Sequence, residues 1–500
     1  MKSSRTIVAL ILAVVAAAVG FPDHHYNEPR TVKKWAEDSW RMFQTATEKS
    51  VEAASEHFGV HDANMTLRIS TKGRSECRVY AAIADHRETL SVVFPDRHMP
   101  VSGLHAVLLL DPFPGAYFGH PVLIFLIEKT SMDMCDERKG HYLHGNHLCI
   151  YVKNNSRCIQ MKRNKSPSDR STDTDCAFNF IPLVQGKEAG KQKLTCRENI
   201  GNFYTHCPVL RDTEDNLSVY CDKVRYNTHR CNVAEEAAEA NCSSWQRCDH
   251  AMILSGGWNH QLSEYQSYLN VKEMFEMLKR IGFGENIKIF YANGEASTQE
   301  MPRMYSSILK ESFKKHLRTL CNTKPCVETL VLYLNSPTLP NGNSLLWDAD
   351  KNGEASPEEQ FTVDEMLSSL QDCSAKQVVL LVDQSYSGVF TKKQSKNRKL
   401  RSNVIIVTST SERQAAFGSD FRKYWSKEGL GEKCINNIYD EYINDPRTED
   451  MTSLLLDTGS GASHRLTLNG GSCSNEPWGK ISSKGCENLS SSRHWSDFGN

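Results

Sequence analysis

Two hydrophobic rhythms divide this chain. From Asp249 onward, short apolar runs alternate with amphipathic stretches: AMILSGG, VKEMFEMLKRIGF, IKIFYANG, MYSSILKESFKKHLRTL, ETLVLYLN, SLLW, VDEMLSSLQ, KQVVLLVDQ and NVIIVTST. Runs that are apolar at every position suit strands buried on both faces, and the amphipathic stretches suit covering helices. This part therefore predicts an α/β domain over residues 249–430, a mostly parallel sheet flanked by helices. Functional groups in such sheets gather at the carboxyl ends of the strands.

The first half reads differently. Residues 30–58 form an amphipathic pattern that places Trp35, Trp40, Phe43 and Val51 near one helical face. Strand-like alternation follows in TLRIS, CRVYAAI and LSVVF, then the runs HAVLLL and PVLIFLIEK. An α+β module over residues 21–130 is the expectation. Residues 131–248 are a cysteine-rich segment of short elements, either a stapled extension of that module or a small domain of its own. Residues 431–500 are read as a C-terminal extension. It is rich in Ser, Gly and Asn beyond about residue 465, partly disordered, and held locally by Cys473 and Cys486.

The N-terminus and the cysteines bear on the compartment. MKSSR precedes the apolar run TIVALILAVVAAAVG, with Ala18 and Gly20 at the small-residue positions of a cleavage site, so residues 1–20 read as a secretory signal peptide. No later segment is apolar enough to predict a membrane span. Of 17 cysteines, ten lie between Cys135 and Cys248 with no C-x-x-C pair, which predicts disulfides rather than zinc sites. The odd count leaves at least one thiol free or bound to another chain. Six sequons, at Asn64, Asn154, Asn164, Asn216, Asn241 and Asn488, are candidate glycosylation sites. A net charge of −1 argues against nucleic acid as a partner.

The sharpest candidate for chemistry is VVLLVDQSYSGVF, residues 378–390, a buried strand ending in a small polar turn. With AMILSGGWN, IKIFYANG, ETLVLYLNSPTLPNGNSLLWDAD and SNVIIVTSTSERQAAFGSDF, it resembles the caspase-like fold over residues 249–425, and within it the legumain-type cysteine proteases. That resemblance implies a catalytic cysteine where Asp383-Gln384-Ser385-Tyr386-Ser387-Gly388 stands, and a histidine where Pro337 stands. No histidine occurs between His316 and His464. A serine hydroxyl, unlike a thiol, depends on an adjacent base. With both positions changed the family mechanism is disabled, and the loop NHQLSEYQS after Trp258 lacks the arginine that the family uses for specificity. The competing reading is a hydrolase with Ser385 as nucleophile and His260 or His464 as base. DQSYSG is not the G-x-S-x-G elbow that such an enzyme uses.

DADKNGEASPEE, residues 348–359, is the second candidate. Asp348, Asp350, Asn352, Ser356 and Glu359 stand at positions 1, 3, 5, 9 and 12 of a calcium loop, Gly353 at the turn, with the Glu354 carbonyl as a further ligand. Ala355 replaces the usual large apolar residue, and the loop is entered from a strand. Three lesser signals are read as structure. Asp457 in LLLDTGSG has no second aspartate to share a site with. His141, His144 and His147 stand near Cys149, itself expected to be bridged. The basic run 391–401 reads as a solvated, protease-sensitive loop. The sequence thus points to a secreted, disulfide-rich glycoprotein with a catalytically inactive legumain-like domain. It would bind or scaffold an extracellular protein partner, with Ca²⁺ as a candidate ligand.

Overall fold

The computed structural model describes residues 28–57, 77–112, 122–153, 178–203, 246–258, 268–292, 301–322, 327–397, 400–416, 420–446, 453–473 and 486–488, apart from short gaps, together with Cys207. The signal stretch 1–20, the TLRIS segment, Asn64, Asn154, Asn164, Asn216, Asn241 and residues 259–267 with His260 lie outside the described residues.

Helix α1 (Glu28–His57) opens the chain. It is followed by strands β1 (Arg78–Ile83), β2 (Leu90–Val93), β3 (Val101–Leu104), β4 (Ala106–Asp111) and β5 (Leu123–Lys129). Helix α2 (Met132–Glu137) and strands β6 (His141–Leu143), β7 (Leu148–Val152), β8 (Leu183–Gln185) and β9 (Thr195–Arg197) complete the first half. One antiparallel sheet runs β6-β7-β5-β4-β1-β9 and a smaller one β3-β2-β8. Because β6, β7 and β9 join the sheet of the first module, the cysteine-rich segment is built into that module.

The period-2 alternation decides what each face of the larger sheet meets. Val79, Ala81, Leu108, Leu110, Phe125 and Ile127 pack with Val32, Trp35, Ala36 and Trp40 of α1. Tyr80, Ala82, Val107, Leu109, Ile124 and Leu126 face the other way, packing with Val92, Phe94, Phe178 and Phe180. That second cluster also takes in Trp258, Leu339 and Leu345, so the module packs directly on the α/β half.

The α/β half comprises β10 (Gln246–Ser255), α3 (Tyr268–Leu278), β11 (Ile287–Tyr291), β12 (Met304–Tyr305), α4 (Lys310–Asn322), β13 (Val327–Leu334), β14 (Ser344–Leu345), β15 (Gln360–Phe361) and α5 (Val363–Leu370). Strand β16 (Gln377–Val382), α6 (Gly388–Asn397), β17 (Val404–Thr408), α7 (Asp420–Trp425), α8 (Ile435–Ile443), β18 (Leu454–Asp457) and β19 (Cys486–Asn488) follow. Its sheet runs β12-β11-β10-β13-β16-β17-β18, parallel from β12 to β17, with β18 antiparallel at one edge and β19 antiparallel on β10. The apolar strands divide cleanly between its two faces. Leu330, Leu332, Leu334, Val378, Leu380 and Val382 meet α4 and α5 through Phe313, Leu317, Met366 and Leu370. Val331, Tyr333, Val379 and Leu381 meet α3, α7 and α8 through Met274, Phe421, Trp425 and Ile438.

Several details differ from the sequence reading. Thr391–Asn397, expected as a loop, continues helix α6 instead. Thr391 Oγ1 donates to the Gly388 carbonyl, and Ser395 Oγ to the Thr391 carbonyl, so its polar side chains support the helix. Residues beyond 430 supply α8 to the core and β18 to the sheet. Cys473 pairs with Cys434 on the α8 side, not with Cys486. Other bridges are Cys135–Cys149, Cys196–Cys207 and Cys321–Cys373; Cys248 is also bridged, and Cys77 is a free, buried thiol. No helix among the described residues is long and apolar enough to cross a membrane.

Candidate functional site

Strand β16 delivers Asp383–Ser387 to the carboxyl end of the sheet, and α6 begins at Gly388. The turn is tight. Tyr386 holds φ at +59°, and a Cβ on Gly388 would lie 2.5 Å from the Glu412 amide nitrogen, so only glycine lets the β17 loop approach this closely.

Ser385 is fully buried. Its hydroxyl accepts a hydrogen bond from the Ala416 N–H at 2.8 Å, and its carbonyl accepts from Thr338 Oγ1 at 3.0 Å. On either side the turn is tied just as closely. The Gln384 carbonyl accepts from Ser409 Oγ and Thr410 Oγ1, and Ser387 Oγ accepts from the Thr410 N–H at 3.0 Å. Tyr333 Oη donates to Asp383 Oδ2 at 2.8 Å, and Asn335 Nδ2 donates to the Asp383 carbonyl. Burial first, and the Asp383 carboxylate second, push the Tyr333 hydroxyl well above the usual phenol range. Asn270 links this network to Arg422, whose guanidinium pairs with Glu273 at 2.8 Å.

Pro337 is buried across the turn, its carbonyl accepting from the Leu345 N–H at 2.7 Å. Beyond it comes a contact that sequence reasoning missed. Asn179, from the first module and 3% exposed, accepts from the Thr338 N–H at 2.9 Å and donates to Thr338 Oγ1 at 3.2 Å. Thr338 in turn holds Ser385. The first half of the chain is thus hydrogen-bonded to the loop that holds Ser385, across 159 residues of sequence. Only the run of phenylalanines around Asn179 hinted that this stretch is buried.

Among the described residues the candidate base His464 is not placed at Ser385, nor is the buried His250, and the other candidate, His260, lies outside them. His250 lies in register with Leu330, and Leu330 with Val378, so it sits four strand positions, roughly 13 Å, before the end of β16. It is buried, and its pKa falls to about 3 through burial first and the charges of His316 and Lys288 second. His464 follows Asp457, which pairs with Ile405 near the start of β17, at the opposite end of the sheet from Ser385. Asp457 itself accepts from the Gly459 and Ser463 N–H groups, which accounts for it as a turn-former.

The 348–359 loop joins β14 to β15, a small two-stranded sheet in the stretch that follows β13. Asp348, Asp350 and Glu359 each bring a carboxylate oxygen within 4.8 Å of the others, the one such metal-capable group found among the described residues. Asp348 is 7% exposed; its Oδ2 accepts from the Gly353 N–H at 3.0 Å, whereas Oδ1 is buried and takes no hydrogen bond. Glu359 accepts from the Ala349 and Ser356 N–H groups. Asp350 accepts from both nitrogens of Asn352, whose Oδ1 accepts from the Glu354 N–H. Burial, then the Glu359 and Asp350 charges, raise the Asp348 carboxyl to about 8; burial also raises Glu359. The loop therefore has sequence positions 1, 3 and 12 converging, as a calcium loop requires. His141, His144 and His147 do not converge: Tyr142 Oη bonds His147 Nδ1, and Cys149 is bridged to Cys135. Asn488 closes β19 beside Gln246 of β10.

No protein-family model matches the chain, and no curated relative does. A solved structure titled "structure of pro-sf-caspase-1" aligns with 41% of this chain and 80% of its own, at 11% identity and a TM-score of 0.26, a likeness too slight to carry an argument.

Proposed function

We propose that this chain is a secreted, disulfide-stapled glycoprotein whose α/β half is a caspase/legumain-like domain without catalysis, and that it acts by binding an extracellular protein partner. The observation that supports this best is the state of Ser385. Its hydroxyl is buried, accepts the Ala416 amide, and lies behind Thr338 and Asn179. A nucleophile needs a base within hydrogen-bond reach and room for an acyl group. Pro337 supplies no base, and Asn179 of the first module holds the Thr338 that bonds the Ser385 carbonyl. The bridges Cys135–Cys149, Cys196–Cys207, Cys321–Cys373 and Cys434–Cys473 favour an oxidising compartment.

Protein recovered from the culture medium of an expressing eukaryotic cell is expected to begin near Phe21, to carry Asn-linked glycan, and to leave a diverse peptide library uncut. Cleavage that disappears in Ser385→Ala, together with labelling of Ser385 by a fluorophosphonate, would overturn the reading in favour of a serine hydrolase.

A further inference from the structure

The 348–359 loop is unlike the Ser385 turn in one respect: its charge is unanswered. Three carboxylates converge, and among the described residues none of them is paired with a cation. Asp348 Oδ1 is buried without a hydrogen-bond partner, an arrangement that costs free energy unless something fills it. Each carboxylate retains lone pairs after the amide bonds it accepts. The three converging donors are oxygens, the hard ligands that Ca²⁺ takes, and Asn352, Glu354 and Ser356 stand at the further ligand positions of the loop sequence.

The surroundings of the loop say what an ion there would do. Gly353 holds φ at +78°, and a Cβ on it would meet Leu183 Cβ at 2.7 Å and Val93 Cβ at 3.2 Å, residues of β8 and β2 in the first module. The next-but-one residue, Ala355, donates its N–H to the Pro95 carbonyl at 3.1 Å and packs into the cluster of Val92, Phe94 and Val184. So the position where a helix–loop–helix calcium site carries a large apolar side chain is here a seam between the two halves of the molecule. Asp348 begins the loop directly after Trp347, whose strand-like bridge to Trp258 places the N–H of Asp348 on the Trp258 carbonyl.

We propose that a calcium ion bound by Asp348, Asp350 and Glu359 fastens this loop against strands β2 and β8, so that calcium holds the first module to the α/β half. The assignment is independent of whether Ser385 catalyses.

Terbium luminescence excited through the tryptophans tests binding on the intact, folded protein, because Trp347 adjoins the site. Saturable emission is expected, displaced by millimolar Ca²⁺ and reduced at least tenfold in apparent affinity by Asp350→Asn, a change at an exposed residue that leaves the fold in place. Hydrogen exchange in β2 and β8 is expected to slow on adding Ca²⁺, and Tm to rise by on the order of 5 °C at a hundredfold excess over Kd. Emission that Ca²⁺ does not displace, or that Asp350→Asn and Glu359→Gln leave unchanged, overturns the site. Calcium binding with exchange in β2 and β8 unaltered overturns the clamp.

Discussion

The Ser385 turn and the 348–359 loop make an instructive pair. Both lie in stretches that follow the carboxyl ends of neighbouring strands, β16 and β13, and both look like sites when read as strings of residues. In the turn, every polar group named above has an internal partner, and the first module is bonded to it through Asn179 and Thr338. In the loop, three carboxylates converge and Asp348 Oδ1 has none. Polar groups that answer one another build architecture; polar groups that leave a shared deficit call for a ligand. The chemical type of a residue matters less here than whether its hydrogen bonds close locally.

Away from both regions, acid is expected to act through a buried histidine. His250, at the far end of the strands, is held neutral in the fold with a pKa of about 3, against an ordinary 6.5 in the unfolded chain. Its contribution is whole above pH 6.5 and is lost as pH falls toward 3, at up to about 1.4 kcal/mol per pH unit and about 4–5 kcal/mol in all. Urea midpoints measured across that range should show the slope, and His250→Gln should flatten it. The charges of His316 and Lys288 act on the same ring, and a slope unchanged in that variant would show that His250 is not its source.

Gly388→Ala strikes the turn directly. Its new Cβ would press on the backbone of Ser411 and Glu412, at 2.5–2.6 Å, and the expected loss is about 3 kcal/mol, read from a denaturant midpoint. A neutral result would mean that the β17 loop yields easily, and that the turn is less tightly built than its contacts imply.

Ser385→Ala and Asp350→Asn put the comparison to a single test. The first leaves the Ala416 N–H buried without its acceptor and should cost about 1–3 kcal/mol, with or without calcium. The second, at an exposed residue, should change calcium-free stability by less than about 0.5 kcal/mol, yet remove the gain that calcium confers. Equal behaviour of the two variants would erase the distinction drawn here. Smallest of all, Lys392→Ala removes a surface ion pair to Glu412 at 2.5 Å and should move the midpoint by no more than about 0.5 kcal/mol.

Much of the architecture was legible because burial on both faces writes itself into composition. Strands such as Val378–Val382 are apolar at every position, and the sheet sends alternate residues to opposite cores. The spacing of Asp348, Asp350 and Glu359 was legible too, since a loop that wraps one point needs its ligands at set intervals. Less legible was the helix through Thr391–Asn397. Its lysines and serine carry little apolar periodicity; the Thr391 and Ser395 hydroxyls bond carbonyls one turn back, and Phe390 in the preceding turn is buried in the core.

By itself, the order of residues determined the α/β layering, the glycine-dependent turn after β16, the absence of a histidine near Pro337 in the chain, and the presence of a carboxylate loop. Local chemistry and periodicity suffice for each of these. Tertiary structure alone decided that Asn179 reaches across 159 residues to Thr338, that Cys473 chooses Cys434, and that the loop at Gly353 lies on Val93 and Leu183. Such pairings depend on which surfaces meet once the two halves pack, and contact between distant segments leaves no periodic trace in the chain that makes it.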